Sequence, residues 1–264
     1  MEAGYPRVVD LTYRVVSASS HRYSETAELV GNHHGFRFKI ADAVATFLPS
    51  AHFPSDADAR AALEPPLRAW ELDAELKHGI AALKFAFLAA HTEHSPPQPG
   101  VVTLRGVASM AVAEQLRMVV TYRSYPPPPL DFAIDDCVQD IAEQYSRATQ
   151  APHTLLKNAY AILARLNFEY GSHSKAADAL GISSAVLKEV QKLASNRGTD
   201  AEVRKFTANV PRMPLTEQER SWIARVLEII VRRTGAVAAK ARRGELVTFD
   251  TTSAPQTIRP KSGS

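Results

Sequence analysis

Apolar and polar residues alternate along Val9, Leu11, Tyr13 and Val15, with Asp10, Thr12 and Arg14 between them. A repeat of two predicts a strand with one buried face, because successive side chains of an extended chain point to opposite sides. The same alternation returns with Phe36, Phe38 and Ile40 around Arg37 and Lys39, with Leu83, Phe85 and Phe87 around Lys84, and with Val102 and Leu104 around Thr103. Residues 117–125 include Met118-Val119-Val120-Thr121-Tyr122, whose β-branched and aromatic side chains favour a further strand, a helix over residues 111–120 being the alternative.

One helical stretch interrupts these strands. Ser55 is suited to cap a helix with Asp58 three residues on, and Pro65-Pro66 predicts a break, because proline removes backbone donors. Pro66 then opens a second turn that carries Leu67, Trp70 and Ala74. The expected first half is an antiparallel sheet covered on one face by a broken helix, over residues 1–125.

Tyr125-Pro126-Pro127-Pro128-Pro129-Leu130 is read as an extended polyproline joint at 126–130, since proline cannot donate to a strand ladder. Beyond it the spacing turns helical. Ile134, Cys137, Val138, Ile141 and Tyr145 recur at helical intervals, as do Leu155, Leu156, Ala159, Leu163, Leu166 and Tyr170, before a stop at Gly171. Thr216 and Glu219 have the spacing of a capping box ahead of a long helix that buries Trp222, Ile223, Val226, Leu227 and Ile230. The fold class expected is therefore α+β, a sheet domain followed by an all-α helical bundle over residues 131–245. The polar, Pro- and Ser-rich tail within residues 246–264 is expected to be disordered.

Residues 174–190 resemble a helix-turn-helix: Ala177 supplies the small contact between two short helices, and Gly181 the tight turn four residues later. Leu187 and Val190 are then buried, which leaves Ser183, Ser184, Lys188, Gln191 and Lys192 on the outer face. Two of these five are cationic and none is Arg or Asn, so weak base reading is expected. A purely structural hairpin has the same spacing. Together with Leu67-Arg68-Ala69-Trp70-Glu71-Leu72, the Tyr-Pro joint and Ala179-Leu180-Gly181-Ile182-Ser183, the chain resembles a group of uncharacterised two-domain bacterial proteins. That resemblance implies the two-part architecture and carries no activity.

The chain has 264 residues, of which 45% are hydrophobic and 22% charged, the composition of an ordinary globular protein. Its net charge of +3 is unevenly distributed. Up to Gln150 there are 13 basic against 18 acidic residues, and beyond it 18 against 10. The second half is thus at +8, which favours polyanions without implying specificity. Arg225, Arg232, Arg233, Lys240, Arg242 and Arg243 extend the basic character of the last helix, and the ten-residue interval between the two Arg pairs allows one basic edge.

Several chemistries are not expected. Cys137 is the single cysteine, which precludes an internal disulfide or a Cys-based metal site. His91-Thr92-Glu93-His94 and His33-His34 are read as surface-loop histidines, so neither a metal nor another cofactor is expected. No Gly-x-Ser-x-Gly elbow, Gly-x-x-x-x-Gly-Lys loop or Gly-x-Gly is found. Asp131, Asp135, Asp136, Asp140 and Glu143 read as an exposed helix face. The longest nearly apolar run, residues 80–90, contains Lys84 and is shorter than the roughly 20 residues of a membrane span. With no secretory signal in the first ten residues, a cytoplasmic location is expected.

One catalytic pair is considered. Arg147 and His153 resemble the Arg-to-His spacing of helical HEPN ribonucleases, although Pro152 places the histidine outside the helix and Ala148 replaces their usual polar residue. The function expected first is a non-enzymatic binding protein whose helical half contacts DNA or RNA through Ser183, Ser184, Lys188, Lys192, Arg232, Arg233, Arg242 and Arg243. A protein-protein adaptor acting through the sheet domain is the alternative, and the ribonuclease comes third.

Overall fold

The computed structural model describes residues 5–18, 21–23, 27–94, 120–122, 124–197, 213–240, 245–255 and 258–259. The fold is α+β, an antiparallel sheet followed by helices. The chain forms two compact units, Met1–Pro129 and Leu130–Ser264.

In the first unit, β1 (Arg7–Val16), β3 (Leu29–His33), β4 (Phe36–Ala41), β5 (Val44–Pro49) and β6 (Lys84–Glu93) form an antiparallel sheet in the order β3-β4-β5-β1-β6. β2 (His21–Tyr23) and β7 (Val120–Tyr122) pair in parallel. β7 lies within the expected strand at 117–125, whereas the expected strand at Val102 to Leu104 lies outside the described residues. The alternation at β4 holds residue by residue: Phe36, Phe38 and Ile40 are buried, while Arg37 and Lys39 are exposed. In β1 it fails, because Asp10 and Thr12 are buried as well as Leu11 and Tyr13. β1 has β5 on one side and β6 on the other, and Asp10 lies 3.8 Å from His91 across the sheet.

The expected helix break does not occur. α1 runs from Asp56 to His78 with Pro65 and Pro66 inside it, and Ser55 caps it by accepting from the Asp58 amide at 3.1 Å. An interior proline costs a helix about 3 kcal/mol, and burying a large apolar side chain recovers about 1.5–3 kcal/mol. Leu63, Pro66, Leu67, Trp70 and Ala74 are all buried, so packing on the sheet outweighs the two missing donors. Trp70 meets Phe38 at 5.1 Å and Phe85 at 5.2 Å, and its indole N–H donates to the Pro126 carbonyl at 2.9 Å. The Tyr125 hydroxyl accepts from the Ala43 amide at 3.0 Å, so the beginning of the proline segment belongs to the sheet unit.

His33, at the end of β3, is 5% exposed and meets the Trp70 ring at 5.7 Å. Its Nε2 has no hydrogen-bond partner among the described residues. Burial, followed by the nearby His34, pushes its pKa down to about 4, so the ring is neutral. It is a core residue, where a surface-loop histidine was expected. His91 also departs from that expectation, standing within β6.

The second unit contains α2 (Asp136–Gln150), a 3-10 turn at Pro152–Thr154, α3 (Leu155–Tyr170), α4 (His173–Leu180), α5 (Ser184–Asn196) and α6 (Glu217–Ala238). Asp135 caps α2, accepting from the Val138 amide at 2.8 Å, and α3 stops at Gly171. Cys137 is buried, and burial pushes its thiol up to about 11. The capping box of α6 is formed: Thr216 accepts from the Glu219 amide, and the Glu219 carboxylate accepts from the Thr216 amide. Glu219 is 1% exposed and also accepts from Arg197 at 2.9 Å, so its charge is paired where it is buried. A Cβ at Gly235 would stand 2.1 Å from the Phe132 ring, which explains glycine within this helix.

Of the tail expected to be disordered, residues 246–255 and 258–259 are ordered, and the remaining ones lie outside the described residues. Val247, Thr252, Ala254 and Ile258 are buried, Phe249 stacks on Trp222 at 5.8 Å, and the Trp222 indole donates to Thr252 Oγ1 at 3.0 Å. Polar composition misleads here because a few apolar residues, set among turns, suffice to fasten a short strap.

Candidate nucleic-acid interface

The helical hairpin is built from its turn outward. Ser172 caps α4, accepting from the Lys175 amide at 3.2 Å. Gly181 takes φ 63°, in the left-handed region, as the sequence predicts. There the Ile182 amide donates to Ala177 O at 2.9 Å and the Gly181 amide to Asp178 O at 3.3 Å, the paired bonds that end a helix at a left-handed residue. Ser183 then caps α5, accepting from the Ala185 amide at 3.3 Å.

Packing fixes which face remains outside. Ala176, Ala177 and Leu180 of α4 are buried, as are Val186, Leu187, Val190, Leu193 and Ala194 of α5, with α3 against both helices. Ser184, Lys188 and Lys192 lie four residues apart and are exposed, so they form one row along α5. Lys188 has no charged partner among the described residues, and Lys192 lies 3.3 Å from Glu189. Ser183 and Gln191 are half-buried. Ser183 departs from its expected outward role, because its hydroxyl serves as the cap and its amide donates to Val247 O at 2.7 Å. Val247 in turn donates to Gly181 O at 2.9 Å, so the C-terminal strap closes over the turn. Isolated apolar residues after a long helix give no warning of this contact in the sequence.

Of the basic edge that the spacing allows along the last helix, the structure describes Arg232 and Arg233. α6 ends at Ala238 and Lys240 has φ 55°, while Arg242 and Arg243 lie outside the described residues. Arg232 donates to Glu228 at 2.9 Å and Arg233 to the Glu245 carbonyl at 2.7 Å. Arg225 is exposed and lines an open groove of about 720 Å³ with Glu217, Ser221, Trp222, Thr252 and Pro255.

Arg147 stands in the last turn of α2, 3.5 Å from Glu143, and His153 stands in the following 3-10 turn. Both are exposed, on separate elements. Of the acidic set, Asp135 is a cap, Asp140 pairs with Arg165 at 2.8 Å and Glu143 with Arg147. Among the described residues no group of three or more His, Cys, Asp or Glu could hold a metal ion, and no helix is long and apolar enough to cross a membrane. Comparison of the chain with protein-family models, curated proteins and solved structures finds no match.

Proposed function

We propose that the helical unit binds duplex nucleic acid through the outer face of α5, by phosphate contacts with little base reading. The observation that carries this reading is the exposed row Ser184, Lys188 and Lys192 on the second helix of a hairpin that buries its apolar positions. A hairpin of this kind offers its second helix to a groove while the first crosses the backbone. The helical unit carries 19 basic against 15 acidic residues, the excess lying beyond Gln150, and this net positive charge supports association with a polyanion. The charged members of this row, Lys188 and Lys192, are ammonium groups without the planar fork of arginine, which favours phosphate over base edges, and Asn196 at the end of α5 is the one amide that continues the row.

The test is binding of the full chain to a labelled DNA duplex across a salt series. Each phosphate contact contributes about −0.9 to the slope of log affinity against log salt, so Lys188→Ala with Lys192→Ala reduces the slope by about 2. Shuffling the duplex sequence leaves the affinity nearly unchanged. Absence of binding at low salt, or a slope unaffected by the double variant, defeats the reading.

A further inference from the structure

Among the described residues β6 is an edge strand of the sheet, beside α1. Val15 donates its amide to Ala43 O at 2.8 Å, on the β5 side of β1. Its partner across the other side, Phe85, therefore turns its amide and carbonyl away from β1, as does Phe87 opposite Tyr13. The Phe85 amide is capped by Glu71 of α1 at 2.6 Å. Phe87 has no such cap among the described residues, and Ala86, Leu88 and Ala89 around it are exposed. An uncapped edge of this kind is a template for another strand.

Between this edge and α1 lies a groove of about 450 Å³, with Tyr13, Phe85 and Phe87 on its floor and Arg60 on its wall. The charges around it are paired with one exception. Glu64 pairs with Arg68 at 2.6 Å, and Glu71 with Lys84 at 3.3 Å. Arg60 lies over the Phe87 ring at 4.0 Å and reaches the Tyr13 hydroxyl, with no carboxylate in ion-pair range among the described residues. Among the described residues the groove thus presents an aromatic floor, a backbone edge without a strand partner and one cation without a carboxylate.

We propose that this groove docks an extended peptide segment bearing one carboxylate, which adds to β6 as a sixth strand at Phe87 and places its acid on Arg60. Main-chain bonds to an edge strand give such a site its affinity, and alternate side chains give it selectivity. Glu71 already occupies the Phe85 amide, so the added strand pairs from Phe87 onward. A basic side chain in the groove would meet Arg60 unpaired and be rejected.

The test uses the full chain and a blocked probe, acetyl-Thr-Val-Thr-Asp-Thr-Val-Thr-amide, whose groove-facing positions read Val, Asp, Val. Saturable binding is expected, with slowed hydrogen exchange at the Phe87 amide. A charge-assisted bond of this kind is read as an affinity about tenfold weaker for the Asn counterpart of the probe or for Arg60→Ala. Arg60→Lys, which retains charge without the planar fork, falls between. Exposure of Arg60 allows these variants to fold, which circular dichroism verifies. No binding up to about 1 mM, or equal affinity for the Asp and Asn probes, overturns the proposal. So does a Phe87 amide already protected in the free chain, which would assign the edge to the chain itself or to a second copy.

Discussion

Each unit contains one tryptophan, and each indole N–H holds chain that comes later in the sequence. Trp70 donates to the Pro126 carbonyl and Trp222 to Thr252 Oγ1. Their surroundings differ. Trp70 is met by Phe38, Phe85 and His33, which strands from distant parts of the sequence bring together. Trp222 lies on one helix, its ring parallel to that of Phe249 in the strap. The sheet unit gathers its core from separated segments, whereas the helical unit builds from periodic helices and is then fastened by its end.

Independent replacement of the two tryptophans is the strongest way to break this comparison. Trp70→Ala and Trp222→Ala should each cost about 3–5 kcal/mol, confined to the unit that carries the change. Urea unfolding followed by fluorescence of the remaining tryptophan checks this. A shift in the midpoint reported by Trp222 when Trp70 is replaced would show that the units share one transition.

Acid should sharpen the contrast next. The folded pKa of His33 is lowered to about 4, below its ordinary 6.5, so the unfolded chain takes up the proton first as pH falls. Its neutral ring therefore contributes fully above pH 6.5, and that contribution is lost between pH 6.5 and about 4. From pH 7 to pH 5 the sheet unit should lose about 2 kcal/mol through this group. Urea midpoints of the parent and His33→Leu at the two pH values isolate the effect, and an equal acid loss in both would reject it.

Gly181→Ala acts on the helical unit alone and by less. A side chain held at φ 63° costs about 1–2 kcal/mol. Thermal unfolding should show that loss in the helical unit, with the acid response of the sheet unit unchanged.

The same comparison explains what could be read from the chain. α2, α3, the turn at Gly181 and the capping box of α6 were legible because caps, stops and the 3.6 repeat are local signals. β4 was legible because one of its faces is exposed. β3 and β5 were not: their hairpin turns use His34-Gly35 and Asp42-Ala43 at positive φ, away from the commoner Asn-Gly and Asp-Gly pairs. β3 also places Val30 outward at 58% exposure, against the alternation. The two prolines of α1 signalled a break that distant packing overrides, and Val247 and Ile258 were too isolated to announce the strap. At the candidate interface, Ser184, Lys188 and Lys192 are exposed as read, while Arg232 and Arg233 have internal partners that their spacing alone could not reveal.

The strap has a consequence for the chain as it is synthesised. Residues emerge from the ribosome N-terminus first, and domains generally fold as units in that order. The acceptor for Trp70 is available once Pro126 has emerged, whereas Val247 follows it by 121 residues, with Thr252 and Ile258 later still. The hairpin turn therefore remains without its Val247 bonds while the 121 residues after Pro126 are synthesised, and the helical unit stays partly unlatched over an interval in which the sheet unit can already close.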